Sequence, residues 1–187
     1  MDTSLNNIKL WLTRPKDQAE NLTDLLEKRG AKVFHLPLME IQPLPQDKAS
    51  LKKIKKLEQY DMAFFISTNA ASIAMELVGE YYTELPTGIG CFSPGPGTAK
   101  VLESYGLKVA YPKKSMRTEG MLILPELRKI LQKESEKKKQ ALIFRGKGGR
   151  ELLAKTLRSK DVDVEYIELY KRAIPEYKKK YLKEILQ

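Results

Sequence analysis

Short apolar runs alternate with amphipathic stretches along almost the whole chain. Residues 8–13 form a β-favouring run that Arg14-Pro15 breaks, and proline is well placed to open a helix. Ala19, Leu22, Leu25 and Leu26 recur at helical spacing over 17–29, and Gly30 stops that pattern. A strand follows over 32–36. Pro37, Pro43 and Pro45 then punctuate an extended, linker-like segment. A basic helix is predicted over 47–57 and a strongly apolar strand over 62–66. Thr68 or Asn69 can cap the helix that runs to Val78. A weak strand (88–92), a helix (99–105), a strand (107–111) and a long helix from 118 to about 136, broken near Pro125, come next. Strands at 141–144 and 162–167 flank a helix at 148–159, and a basic helix over 176–186 follows Pro175. Strands alternating with helices predict an α/β fold with parallel sheets. Ligands of such sheets bind at the loops leaving the carboxyl ends of strands.

Two segments repeat each other. Leu12-Thr13-Arg14-Pro15-Lys16 with Leu22, Leu26, Gly30, Val33 and Leu36 matches Ile143-Phe144-Arg145-Gly146-Lys147 with Leu153, Leu157, Asp161, Val164 and Ile167. The offset is constant at 131 (145 less 14). Each copy reads as strand, Arg-containing turn, amphipathic helix and strand, which suggests two similar α/β modules. The copy at the start of the chain holds one βαβ unit before the prolines, and such a unit buries too little apolar surface to be stable alone.

Composition narrows the chemistry. The chain has 187 residues, 42% of them hydrophobic, and a net charge of +10. That charge favours anionic partners such as nucleic acid or polycarboxylated small molecules, although lysine-rich helices give the same excess on an ordinary solvated surface. The single Cys91 excludes an intrachain disulfide, and the single His35 leaves no His/Cys metal site. No apolar run reaches the ~18 residues of a membrane span. The first residues lack the pattern of a secretion signal, so the chain is expected to be soluble and cytoplasmic.

Four loops can carry chemistry. Ser67-Thr68-Asn69 joins a strand to a helix start, which suits an anion as well as a plain N-cap. Ser93-Pro94-Gly95-Pro96-Gly97-Thr98 is glycine-rich but lacks the Gly-Lys-Ser/Thr ending of a nucleoside-triphosphate loop. Arg145-Gly146-Lys147-Gly148-Gly149-Arg150 offers cations at a strand end, where Arg145 either grips a carboxylate or serves the fold. Thr118-Glu119-Gly120 opens a helix, with Thr118 or Glu119 as its cap and Gly120 allowing close approach. Tyr170 falls in a linker candidate, where a phenol either packs or acts as a general acid. No Ser/His/Asp or Cys/His nucleophile arrangement is present.

Thr13-Arg14-Pro15, Phe65-Ile66-Ser67-Thr68-Asn69-Ala70, Gly97-Thr98-Ala99 with Leu102 and Gly106, Thr118-Glu119-Gly120, Arg145-Gly146-x-Gly148-Gly149-Arg150 and Tyr170-x-Arg172 occur in that order. In order and spacing they resemble the uroporphyrinogen-III synthase family across nearly the whole chain. Two loops depart from the family pattern: residues 93–99 replace an Ile-Gly-x-x-Thr-Ala loop, and Phe-Thr-Ser is shifted to Phe-Ile-Ser-Thr.

The resemblance implies two Rossmann-like parallel-sheet domains joined by a two-stranded linker. The terminal domain would comprise 1–36 with 173–187 and be incomplete in this chain. The inserted domain would span 38–169, with linkers near 37–45 and 168–175. It further implies a cofactor-free, cyclising hydro-lyase of tetrapyrrole (haem) biosynthesis. That enzyme closes hydroxymethylbilane to uroporphyrinogen III with loss of water and inversion of the terminal pyrrole ring. Tyr170 would be its general acid. Ser67, Thr68, Asn69, Thr98, Arg145 and Gly146 would bind the substrate's carboxylates, with Thr13 and Arg14 facing from the other domain.

The partner would then be a polycarboxylate tetrapyrrole, with neither nucleic acid nor membrane involved. The intact enzyme is expected to be monomeric. A shortened chain is expected to have little activity and to be open to domain exchange between two copies. The alternative is a non-catalytic basic α/β module that binds nucleotide or nucleic acid. Its lysine helices lack the interleaved aromatics that such binding favours.

Overall fold

The computed structural model describes residues 4–186. Its elements in chain order are β1 (Lys9–Leu12), α1 (Lys16–Glu27), β2 (Lys32–His35), β3 (Glu40–Pro43), α2 (Lys48–Ile54), a 3-10 turn (Leu57–Gln59), β4 (Met62–Phe65) and α3 (Thr68–Gly79). Then follow β5 (Gly90–Phe92), α4 (Pro96–Glu103), β6 (Val109–Ala110), α5 (Thr118–Leu122), α6 (Pro125–Gln132), β7 (Gln140–Gly146), α7 (Leu152–Arg158), β8 (Asp163–Ala173) and α8 (Lys179–Leu186). The described residues up to Gln42 together with those from Arg172 form one compact unit, and Pro43–Lys171 form a second.

The second unit is built on β8-β7-β4-β5-β6, five neighbouring strands of a six-stranded sheet. The pairs β8·β7, β7·β4, β4·β5 and β5·β6 are all parallel. Central β4 is buried along its whole length, as an uninterrupted apolar run requires when both faces of a sheet are covered. On one face Phe64 stacks on Phe92 at 5.0 Å. Met121, Leu127, Leu153 and Leu157 from α5, α6 and α7 close over them. Phe65, on the opposite pleat, stacks on Phe144 at 4.8 Å. Helices α3 and α4 bury Ala70, Ala71, Ala74 and Val78, and Ala99 and Leu102, none of which joins the Phe64 cluster. The result is a helix–sheet–helix sandwich in which each fully buried large apolar side chain contributes about 1.5–3 kcal/mol.

The first unit is small. Parallel strands β1 and β2 stack Trp11 on Phe34 at 5.8 Å, and α1 packs on β2. Tyr177 and Tyr181 each donate a 2.6 Å hydrogen bond, to Pro37 O and His35 O respectively, and so tie the end of the chain to the start. Buried apolar side chains are few here, while Ile8, Trp11, Leu22 and Leu25 are exposed. The sequence repeat has a backbone counterpart. Gly30 and Asp161 both adopt positive φ (91° and 60°), and each ends its helix through the same pair of bonds. These are Gly30 N to Glu27 O with Ala31 N to Leu26 O, and Asp161 N to Arg158 O with Val162 N to Leu157 O.

Several sequence-based expectations shift. The cap of α3 is Ser67, extended at φ −159° and ψ 165°, whose Oγ accepts from Ala70 N at 3.1 Å. Thr68 and Asn69 lie inside the helix. Helix α4 starts at Pro96 rather than at residue 99, because proline is accepted in the first turn. Pro125 does break the long helix: Leu124 before it is extended (ψ 134°), and α6 ends at Gln132, short of 136. Arg117, not Thr118 or Glu119, occupies the cap of α5, without a side-chain bond. The proline-punctuated stretch contains β3, and β8 runs on to Ala173, so Tyr170 lies in a strand.

Gly120 is fixed by crowding. A methyl group there would lie 1.9 Å from Ser115 O and 2.8 Å from Pro112 Cβ. Gly120→Ala is therefore expected to lower the unfolding free energy by about 2 kcal/mol or more, measured by urea denaturation, with the transition remaining cooperative.

Candidate functional site

From β4 the chain proceeds outward to β5 and β6, then returns to the other side of β4 for β7 and β8. Beyond the carboxyl ends of β4 and β7 the connections diverge in opposite directions, which opens a crevice at the switch point of a parallel sheet. The turn after β4 supplies Ser67, Thr68 and Asn69. The turn after β7 supplies Gly146 and the residues that follow it.

The pairing of β7 with β8 slips at this point. Arg145 pairs with Glu168, but Gly146 pairs with Tyr170, leaving Leu169 as an extra residue in β8. At this bulge Leu169 and Tyr170 are both buried. The Tyr170 ring crosses over Gly146, where a methyl group would lie 2.6 Å from Cζ. Lys147 N donates to Tyr170 O at 2.8 Å. The phenol oxygen reaches Ser67 Oγ at 3.0 Å. Tyr170 itself is 2% exposed, and Ser67 is half-buried.

The neighbouring turn after β5 continues this edge. Ser93 is fully buried and donates to Gly95 O at 3.1 Å, shaping the entry to α4. A methyl group on Gly97 would lie 3.9 Å from Thr68 Cγ2, so the starts of α3 and α4 lie side by side. Thr98 is buried at 6% exposure and Thr68 is exposed. Ser67, Thr68, Gly146 and Tyr170 thus come together, with Asn69 and Thr98 on the two helix starts. Thr13 and Arg14 belong to the other unit. Both are exposed, and Thr13 O accepts from Leu38 N at 2.9 Å.

Arg145 sits differently from a free carboxylate contact. It is 5% exposed, donates to Glu151 Oε1 at 2.7 Å and to Gly146 O at 3.3 Å, and lies 4.8 Å over the Tyr166 ring. Tyr166 donates to the other Glu151 oxygen at 2.6 Å. This network holds the end of β7 against β8. The Tyr166 hydrogen bond and then the Arg145 one pull the Glu151 carboxyl below its ordinary value, and burial, aided by Glu151, raises the Tyr166 phenol. Glu151 and Tyr166 carry no sequence signal for this role, since each is polar at an unremarkable position.

Two further chemistry-bearing groups lie apart from these turns. Burial pushes the Cys91 thiol up to about 12, which disfavours the thiolate. His35 Nε2 meets Thr23 Oγ1 at 3.2 Å in the smaller unit. Among the described residues no group of three or more His, Cys, Asp or Glu is placed to hold a metal ion, and no helix is long and apolar enough to cross a membrane.

The model of a protein family described as Uroporphyrinogen-III synthase HemD matches residues 20–187. The chain is 32% identical over 171 residues to uroporphyrinogen-III synthase of Escherichia coli (strain K12), covering 91% of this chain and 67% of that protein. It is 31% identical to the Proteus mirabilis enzyme of the same name, covering 91% of this chain and 83% of that one. In fold it is similar to a mutant uroporphyrinogen III synthase from the extremely thermophilic bacterium Thermus thermophilus, with a TM-score of 0.60 at 13% identity, covering 90% of this chain and 64% of that one. It is also similar to the Helicobacter pylori 26695 uroporphyrinogen-III synthetase, with a TM-score of 0.57 at 16% identity, covering 95% and 67%. The chain therefore spans 64% to 67% of the length of three of these four proteins.

The network around Glu151 has a definite pH signature. Its carboxyl is lowered in the folded state, so its contribution is present above the ordinary glutamate value and is lost as pH falls through the lowered one. The melting temperature of the parent chain is expected to exceed that of Glu151→Gln at neutral pH. The difference should shrink below about pH 4, as followed by thermal melts across pH 3–7.

Proposed function

Because this chain belongs to the uroporphyrinogen-III synthase HemD family, we propose that it serves the cyclisation of hydroxymethylbilane to uroporphyrinogen III. The single observation that carries this reading at the site is the Ser67–Tyr170 contact at the switch point. A phenol there is held by the bulge and by Gly146, and the hydroxyl it touches belongs to a half-buried residue. The loops around it, residues 66–69 and 93–98, carry no charged side chain. Hydroxyls and helix-start amides are left to meet the substrate's carboxylates.

The chemistry asks little of the protein beyond placement. The substrate's terminal hydroxyl takes a proton from Ser67 Oγ, which is replenished from Tyr170. The C–O bond breaks, water departs, and an azafulvene cation remains. The substituted carbon of the far pyrrole attacks that cation to give a spiro intermediate, which fragments and recloses with the ring inverted. The proton lost from the ring carbon on closure restores Tyr170. Holding a long, reactive chain in the conformation that closes at the substituted carbon supplies much of the rate. Asn69, Thr68 and Thr98 are assigned to the substrate's carboxylates through the starts of α3 and α4. Arg145 is assigned to positioning the strand end rather than to substrate, because its guanidinium is already paired.

The repeated βαβ motif, and the apolar side chains that the smaller unit exposes, support reading that unit as part of a second domain of the same type. Thr13 and Arg14 would offer further contacts from it. Nothing favours a nucleic-acid module over this reading. Lys53 of the basic helix, for one, is bound to Tyr166 O at 3.1 Å and to Glu165 at 3.3 Å.

Incubation with hydroxymethylbilane should yield isomer III in excess of the isomer I that forms spontaneously, at the low rate expected above. Tyr170→Phe and Ser67→Ala are each expected to reduce the isomer III rate by about 10²-fold, and the double variant by little more, since the two act in series. Full activity in Tyr170→Phe would remove the proton-donor assignment.

A further inference from the structure

The segment between β6 and α5 runs along the same carboxyl edge. It leaves the outermost strand at Ala110. Met116 then lies against the turn after β5, where a methyl group on Gly95 would be 3.3 Å from Met116 Cβ. Arg117 N closes a tight turn onto Ser115 O at 2.7 Å, and the whole curl fits against Gly120. Glu119 then bonds Arg150 at 2.8 Å, beyond the end of β7. The segment is therefore a strap pinned at three points, crossing from the edge strand towards the switch point.

The strap carries Lys113, Lys114 and Arg117, all exposed. Glu119 is the nearest acid in sequence. Its carboxyl is held low by hydrogen bonds, among them that of Arg150, and more weakly by the charge of Arg117. Among the described residues neither Lys113 nor Lys114 has an ion-pair partner. The turns after β4 and β5 carry no charged side chain at residues 66–69 and 93–98, whereas Arg145 at the end of β7 and Arg150 beyond it are both paired to glutamates and Lys147 between them is exposed. At the opposite, amino edge Lys138 is paired with Asp161 and Lys139 with Asp61. Three exposed cations thus lie on one short segment at the carboxyl edge of the sheet.

We propose that Lys113 and Lys114, with Arg117 behind them, are a binding site for the carboxylate arms of a polyanionic tetrapyrrole. In this division of labour the hydroxyls and helix starts orient the reacting end while the strap holds outlying arms. The inference rests on the function proposed above and adds to it the residues that supply charge. Lysines suit this task, since each ammonium is a point charge on a flexible stem and follows a carboxylate as the substrate folds.

The test uses the full chain and two stable probes, uroporphyrin III with eight carboxylates and coproporphyrin III with four, titrated by absorbance at low ionic strength. Lys113→Gln/Lys114→Gln is expected to weaken uroporphyrin III binding about tenfold and coproporphyrin III binding less. It should also flatten the dependence of binding on salt. Lys52→Gln/Lys56→Gln, which removes the same charge from a distant helix, should leave both affinities unchanged. Absence of uroporphyrin III binding by the parent chain would overturn the functional reading itself. Binding by the parent with no loss in the strap variant, or an equal loss in the distant variant, would overturn the strap alone.

Discussion

Position 146 cannot carry a side chain, and much of the site follows from that. The ring of Tyr170 occupies the space where a β-carbon would stand, and it is there because β8 holds one residue more than β7 at that level. The bulge does not end the pairing, and the Lys147–Tyr170 bond resumes directly beyond it. Arg145, enclosed by Glu151 and Tyr166, fixes the strand just before the slip. A phenol whose position is set by backbone pairing on one side and by an ion-paired network on the other needs no help from a mobile loop.

The same economy governs charge. Ionised groups lining the crevice would lose hydration when a ligand covered them, and would have to be matched one for one to recover it. Neutral hydroxyls and helix-start amides ask for less. Charge set at the margin, on exposed lysines, keeps its solvent while still attracting an anion over several ångströms.

The order of strands and helices was readable because it rests on local pattern. The 62–66 run, buried on both faces, could be little else, and the Leu22/Leu26 and Leu153/Leu157 spacings marked two helices. The repeat was visible for the same reason, and its shared left-handed turn at Gly30 and Asp161 gives it a physical basis. What escaped depended on distant partners. The hydroxyl of Ser67 meets that of Tyr170 across 103 positions of sequence, so no local signal could choose among Ser67, Thr68 and Asn69 as the group facing it. Tyr170 looked like part of a linker because strand propensity fades towards Lys171 and Arg172, whereas pairing with β7 carries the strand through. Arg145 looked like a free cation because the residues that enclose it come from the turn before α7 and from the next strand.

One feature of the connectivity bears on how the molecule assembles. The smaller unit is made from both ends of the chain, and Tyr177 reaches Pro37 across 140 positions. Closing so long a loop in an unfolded chain carries a large entropic cost and slows folding. The chain enters and leaves the larger unit through β3 and β8, which are neighbours in one sheet. Once that unit has folded, the two distant segments emerge side by side, and the effective loop shrinks to a few residues. During synthesis all of Pro43–Lys171 is made before Arg172 onward, so the inserted unit can be in place when its host's last segment arrives. Folding order is thereby written into the chain's path: the insertion acts as the template on which the ends meet.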